Sequence, residues 1–282
     1  MIDPSLQMPH STKGDPMNQV GQNQKLGAFK EQMIEKHENV LRASMQLVPI
    51  ANGLLNQEIG EPLHKVLRAI TRIVVNSNGA IVETATAGYG NDAAKIVRSM
   101  FEGAITIGYL RLKPELLEDY FDYYKIKRWQ YYEFMCQEDP EGVKDLTPAK
   151  IAEMKAEYEA VLPKFRKKKG YIQSWCKDSV HTRAKAVGLG KYYPLFYAEA
   201  SGMHHFDAAG LVAQADAQAL DVEVAPSERW VSQSLLLGFV FTFQALFRYN
   251  EAIAGGADDA LEQVHNVIFG PPPAPAAPQG QG

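Results

Sequence analysis

The residues best equipped for chemistry lie in YAEASGMHHFD, residues 197–207. Ser201, His204, His205 and Asp207 stand there within one short stretch. Histidine changes charge near neutral pH and can serve as acid, base or metal ligand. On a helix Ser201 and His205 share a face, whereas His204 lies about 100° away and aligns with Asp207. Adjacent helical histidines diverge, so they do not make a zinc pair, which needs i, i+4 spacing as in HExxH. A Ser-His-Asp triad is not signalled either. No GxSxG elbow occurs, and one helical turn cannot bring all three groups into triad geometry. What fits the residue types is one histidine, His205, doing acid–base work beside a cation.

That cation comes from AAKIVRSMFEGAITIGYL, residues 93–110. Apolar side chains cover most of this helix, which marks it as central and buried. Arg98 and Glu102 stand four apart on it and face the same way. A charge inside a protein is costly unless it is paired. Two readings follow. Arg98 and Glu102 are an internal ion pair locking helices together, or they line a cleft that faces a third polar group. In the second reading Arg98, Glu102, Ser201 and His205 form a catalytic site. His205 is then the acid–base group and Arg98 stabilises phosphate charge.

Charge is distributed unevenly. The net charge is −4, yet Lys164 to Lys191 holds nine basic residues and one acid, Asp178. Tyr171, Trp175 and His181 are interleaved. Cations with aromatics suit phosphate contact and base stacking, so Arg166, Lys167, Lys168, Lys169, Lys177, Arg183 and Lys185 are the expected nucleic-acid-binding residues. A solvated surface run explains the same charges without a ligand. GYGN and GLGK complete no nucleotide-binding loop, so no cofactor is expected. Two cysteines forty residues apart signal neither disulfide framework nor zinc knuckle, which points to a reduced, cytoplasmic setting.

The elements that must position these residues are helical almost throughout. Apolar residues recur at three- and four-residue steps over 22–57, from Leu63 to about 86, and over 92–112. NSNG, 76–79, is a candidate break. Pro114 opens an aromatic helix, and Thr147 with Pro148 caps another. Further helices are expected near 176–187, 191–206, 226–252 and 258–268. Strand signals are nearly absent; DVEVAP, 221–226, is the only alternating stretch. The fold class is all-α, a single bundle of about seven to nine helices. Residues 1–20 read as a disordered segment, 21–269 as the helical domain with a helical insertion at 138–175, and 270–282 as a Pro/Ala-rich tail. The N-terminus has no basic region followed by an apolar one, so it is not read as a signal peptide. LLLGFVFTFQALF, 235–247, is too short to span a bilayer and reads as a buried helix, so no membrane partner is expected.

YGNDAAKIVRSMFEGAITIGYL resembles the R-S-hydrophobic-hydrophobic-E segment of a bacterial all-helical family known as domain of unknown function 5677. RAKAVGLGKYYPLFYAEASGMHH is similar to that family's later segment, in which a Tyr-rich helix leads to serine and, four residues on, histidine. The matching residues are Arg98, Glu102, Tyr197, Ser201 and His205, and the resemblance covers about 60–250. More distantly, the helical pattern looks like the HEPN bundles, many of them ribonucleases of toxin–antitoxin and antiphage systems. That likeness implies metal-independent RNA cleavage or RNA binding in bacterial stress or defence. Its usual signature places arginine four to six residues before histidine; Tyr197 to Ser201 contain none. The other expectation is a non-enzymatic interaction protein with an Arg-Glu-His staple, whose aromatic helix 114–135 carries an oligomer or partner surface.

Overall fold

The computed structural model describes residues 16–166, 174–205, 207–214 and 226–271. Among them the chain forms eleven α-helices and no strand, so the all-α class holds. These are α1 (Pro16–Lys36), α2 (Glu38–Leu55), α3 (Pro62–Thr86), α4 (Gly90–Leu112), α5 (Leu117–Glu138), α6 (Pro148–Phe165), α7 (Val180–Ala186), α8 (Ala198–His205), α9 (Ala208–Gln214), α10 (Val231–Ile253) and α11 (Asp258–Phe269). The count exceeds seven to nine for local reasons. The stretch 22–57 is two helices because His37, at φ −114° and ψ 19°, leaves helical geometry. The stretch 191–206 opens with a π-turn, Tyr193–Tyr197, and α9 follows it. Helix α3 runs unbroken through NSNG, where buried Asn78 lies against Gly238 of α10. Helix α1 starts inside the segment 1–20; residues 1–15, 221–225 and the tail 272–282 lie outside the described residues.

Helices α3, α4 and α10 pack on one another and form the centre. Phe101, Ile105, Leu67, Ile81, Phe239, Phe241 and Leu246 are fully buried there. Burial of such side chains is worth about 1.5–3 kcal/mol each. Helices α2 and α11 cover one flank, while α7 and α8 cover α4. By length and composition α10 could cross a bilayer, being 23 residues rather than the 13-residue run read from the sequence. Most of it is buried inside the bundle instead.

Close packing around α4 needs two glycines. A Cβ on Gly90 would stand 2.2 Å from the Arg229 carbonyl oxygen, where Trp230 turns the chain at φ +60°. Ser234 Oγ donates to the Gly90 carbonyl at 2.9 Å and ties the starts of α4 and α10 together. Near the other end, a Cβ on Gly108 would stand 2.6 Å from the Arg248 guanidinium.

Helices α5 and α6 make a hairpin with a small core of their own: Ile126, Val161 and Phe165. Trp129 stacks on Tyr158, with ring centroids 5.9 Å apart. Thr147 caps α6 as expected, its hydroxyl accepting from the Lys150 N–H at 3.2 Å ahead of Pro148. Of the stretch 138–175 expected as an insertion, α6 is one arm of a hairpin whose other arm is α5, and 167–173 lie outside the described residues.

Gly90→Ala is expected to lose about 2 kcal/mol or more, because the new methyl meets backbone. Gly53→Ala, at an exposed α2 position with open space around it, should gain roughly 0.5–1 kcal/mol. Urea unfolding midpoints of the two variants, moving in opposite directions, check the pair.

Candidate functional site

Arg98 and Glu102 meet as the spacing requires, with Arg98 Nη2 at 3.2 Å from Glu102 Oε1. The third group is Tyr197. Its hydroxyl donates to Glu102 Oε1 at 2.8 Å and accepts from Arg98 Nη2 at 3.1 Å. The guanidinium also sits over the Tyr197 ring, 5.0 Å from its centroid. A cation over a ring contributes on the order of 1 kcal/mol. The side chains of Arg98 and Glu102 keep 17% and 39% of their surface exposed, while Tyr197 is buried. Arg98 Nε is buried with no hydrogen-bond partner.

The π-turn brings Tyr197 here. The Ala198 N–H bonds to the Tyr193 carbonyl, five residues back, just past Pro194. The widened turn lets Tyr193 stack on Tyr197 at 5.0 Å, and His181 stacks on Tyr193 at 4.6 Å. On its inner side Tyr197 meets Phe101 of α4 at 5.3 Å. Burial, seconded by the Glu102 carboxylate it bonds, pushes the Tyr197 phenol up to about 12, against the pull of Arg98. A phenol so held is neutral and acts as a hydrogen-bond donor. Each member of this triangle is bonded to the other two through Arg98 Nη2, Tyr197 Oη and Glu102 Oε1, while Arg98 Nε is left without a partner.

His205 does not join the triangle. Helix α8 buries Ala200 and Met203, and His205 points roughly 170° away from them at 100° per residue. It is exposed, its ring meets the His204 ring at 5.0 Å, and it makes no hydrogen bond or ion pair among the described residues. Ser201 is half-buried and makes no hydrogen bond among the described residues. The expected grouping of Arg98, Glu102, Ser201 and His205 is thus corrected to Arg98, Glu102 and Tyr197. His204 does not reach Asp207 either. That carboxylate accepts from the Gly210 N–H at 2.8 Å and caps α9. Among the described residues no three His, Cys, Asp or Glu side chains are placed to hold a metal.

The basic segment divides. Lys167, Lys168 and Lys169 lie outside the described residues. Lys164 is clamped by Asp122 and Glu118 of α5, each at 2.7 Å, and those bonds raise its pKa. Burial alone would raise the Asp122 carboxyl, but bonds from Lys125 and Lys164 hold it below its usual range. Arg183, expected at the surface, is buried with its guanidinium over the Trp175 ring at 4.9 Å. The apolar side of α7 turns it inward, because Ala184 beside it is fully buried. Arg166, Lys177, Lys185 and Lys191 are exposed and make no ion pair among the described residues.

A second polar cluster went unread. Lys113 Nζ donates to Tyr109 Oη at 2.7 Å, and that hydroxyl donates to Asp178. Burial, then the bond to Asp178, holds the Tyr109 phenol above its usual range; the same bond draws the Asp178 carboxyl down. The cluster pins residues 174–178 to the end of α4. A cavity of about 300 Å³ adjoins it, lined by Lys113, Asp119, Lys164, Trp175, Lys177 and Asp178. The readable signal was Tyr109 and Lys113, four apart at the C-terminal end of α4.

The raised Tyr197 phenol sets a pH dependence. Unfolded tyrosine ionises near 10 and folded Tyr197 near 12, so the folded state binds the extra proton between those values. The contribution is complete below pH 10 and is lost as pH rises toward 12. Tyr197→Phe should flatten this alkaline decline, measured as chemical-denaturation stability from pH 9 to 12. An unchanged slope would place the raised phenols elsewhere, among Tyr109, Tyr120, Tyr132 and Tyr249.

No curated protein and no solved structure matches the chain. Residues 64–218 match a family of unknown function, DUF5677. The matched region holds α4, the π-turn and α8, hence Arg98, Glu102, Tyr197, Ser201 and His205, and ends before α10. It stops short of the span of about 60–250 expected from the two quoted segments, and it covers both of them. By that match over more than half its length, the chain belongs to the family of unknown function DUF5677.

Proposed function

We propose that the chain is a non-enzymatic interaction protein, in which Arg98, Glu102 and Tyr197 staple the π-turn and α8 to α4. The observation that carries this reading is the identity of the third group. Tyr197 closes the triangle, and His205, the one candidate acid–base group, stands outside it. The phenol is neutral, the guanidinium is paired and Glu102 Oε1 is engaged by both, so the three groups bond first to one another. An element equipped to meet a partner is the α5–α6 hairpin, whose α5 carries exposed Phe121, Tyr124, Tyr131 and Phe134. Large exposed apolar groups in a row mark interaction surfaces.

A staple is a stability element. Removing one partner leaves the others desolvated and unpaired, at a cost of 1–3 kcal/mol. Arg98→Ala is expected to lose about 2 kcal/mol, a fall of roughly 4–8 °C in Tm for a domain of this size. His205→Ala should leave Tm within about 1 °C, as exposed substitutions usually do. Thermal melts of the two decide. An Arg98→Ala protein that melts like wild type, or a His205→Ala protein that loses a turnover the wild type performs, sinks the reading.

One observation favours a second reading, an RNA-binding protein. Arg166, Lys177, Lys185 and Lys191 are exposed and unpaired among the described residues, and Lys191 stands over the Tyr192 ring at 5.1 Å. Single-stranded RNA would then bind with a log affinity falling about 0.7 per neutralised phosphate against log salt. A Lys177→Glu, Lys185→Glu double variant should weaken binding and flatten that slope in fluorescence anisotropy. No binding by wild type at about 50 mM salt, where such contacts are strongest, removes this reading.

A further inference from the structure

The outward side of α5 carries a regular seam. Leu117, Phe121, Tyr124, Arg128, Tyr131 and Met135 follow one another at steps of four, three, four, three and four. That is heptad spacing, which places all six on one stripe of the helix, about 27 Å long. The opposite side of α5, with Asp122, Ile126 and Trp129 buried, faces α6. Phe121, Tyr124 and Tyr131 are 51%, 62% and 65% exposed, and Phe134 beside them 56%. Knobs of this size and spacing fit the holes of another helix.

The order of steps reads the same in both directions. A second copy of α5 laid antiparallel across the two-fold point at Ile126 therefore meets a matching row. Leu117 falls against the second copy's Met135, Phe121 against its Tyr131, and Tyr124 against its Arg128. Every pair is chemically suited, the last as a cation over a phenol ring. Arg128 lies over Tyr124 of its own chain at 5.8 Å, although its guanidinium is also bonded to Glu157 of α6. The four exposed rings alone offer roughly 450 Å² per chain, at about 200 Å² for a full aromatic side chain. That is more than half of the roughly 800 Å² a side of a standard interface.

We infer that α5 is a self-association surface, through which two copies of this chain pair antiparallel by their Phe121–Tyr131 seam. The inference rests on the interaction-protein reading and names the partner. Its charges set a condition. Lys125, Lys127 and Arg128 of both copies lie about the two-fold point. Lys125 is held back on the α6 side by Asp122 at 2.7 Å, and Arg128 is bonded to Glu157. Lys127 makes no ion pair among the described residues and leans on the Tyr123 ring at 5.4 Å. Like charges across a small interface make the pair dissociable, and added salt screens them. The pair therefore tightens as salt rises, the reverse of an RNA contact.

Sedimentation equilibrium of the full chain across a concentration series tests this. A reversible dimer is expected, with an affinity on the order of micromolar for an interface this small, tighter at 0.5 M than at 0.05 M sodium chloride. The double variant Phe121→Glu, Tyr131→Glu should be monomeric with wild-type Tm. In a Cys136→Ser background, Phe121→Cys mixed with Tyr131→Cys should form a disulfide heterodimer, and Phe121→Cys alone should not crosslink. A chain that stays monomeric at roughly 100 µM in high salt, ten or more times the expected Kd, overturns the pairing. So does a dimer that survives the double glutamate variant, or crosslinking by Phe121→Cys alone. The Arg98 and His205 melts decide the underlying reading separately.

Discussion

Helix α4 has to be enclosed on every side. Val97, Phe101, Ala104, Ile105, Ile107 and Leu110 leave no apolar face to spare for water, so the chain must wrap it. Helices α3 and α10 take two sides and the π-turn with α8 takes a third. Enclosure then dictates the rest. Gly90 and Gly108 let the coverings approach, and Arg98 must find its partners inside the wrapping rather than outside it. The triangle with Glu102 and Tyr197 is the electrostatic consequence of that burial. A carboxylate one turn away neutralises the cation, and a phenol from the covering segment bonds to both.

The same logic separates charge in sequence from charge at a surface. The run from Lys164 to Lys191 is uniform on paper, yet its members have different fates. Lys164 serves the hairpin by bridging α6 to three acids of α5. Arg183 supports the fold by lying under cover on Trp175. Among the described residues, Arg166, Lys177, Lys185 and Lys191 face solvent without an ion pair. Long cationic side chains bury their stems readily, and the destination of each head group depends on which acids and rings the tertiary structure brings near.

Much of the architecture was legible in local pattern. The all-round apolar α4, the Arg98–Glu102 pair four residues apart, and the Thr147–Pro148 start of α6 need nothing beyond their own turns. What failed needed knowledge from elsewhere in the chain. NSNG reads as a break, but Asn78 is buried against Gly238, more than a hundred residues away. Ser201 and His205 do share a helix, yet the face that helix buries follows from the π-turn at Pro194 and from the seats of Ala200 and Met203 against the bundle. Tyr197 appeared in the family pattern and not among the site residues chosen for their chemistry. Phenols do most of their structural work as hydrogen-bond donors, and residue type alone does not mark that role.

The separate core of the hairpin has a consequence for how the molecule opens. Ile126, Val161 and Phe165 hold α5 to α6 without sharing side chains with the cluster around α4. Tyr120 of α5 meets Trp175 at 5.2 Å and ties the hairpin to the body, but separate cores favour separate cooperative units. Amide protons of α5 and α6 would then exchange with solvent through openings that leave α3, α4 and α10 closed. The hairpin is an arm that can loosen and re-form while the body stays folded, so the tightness of whatever it grips is set partly by its own local stability.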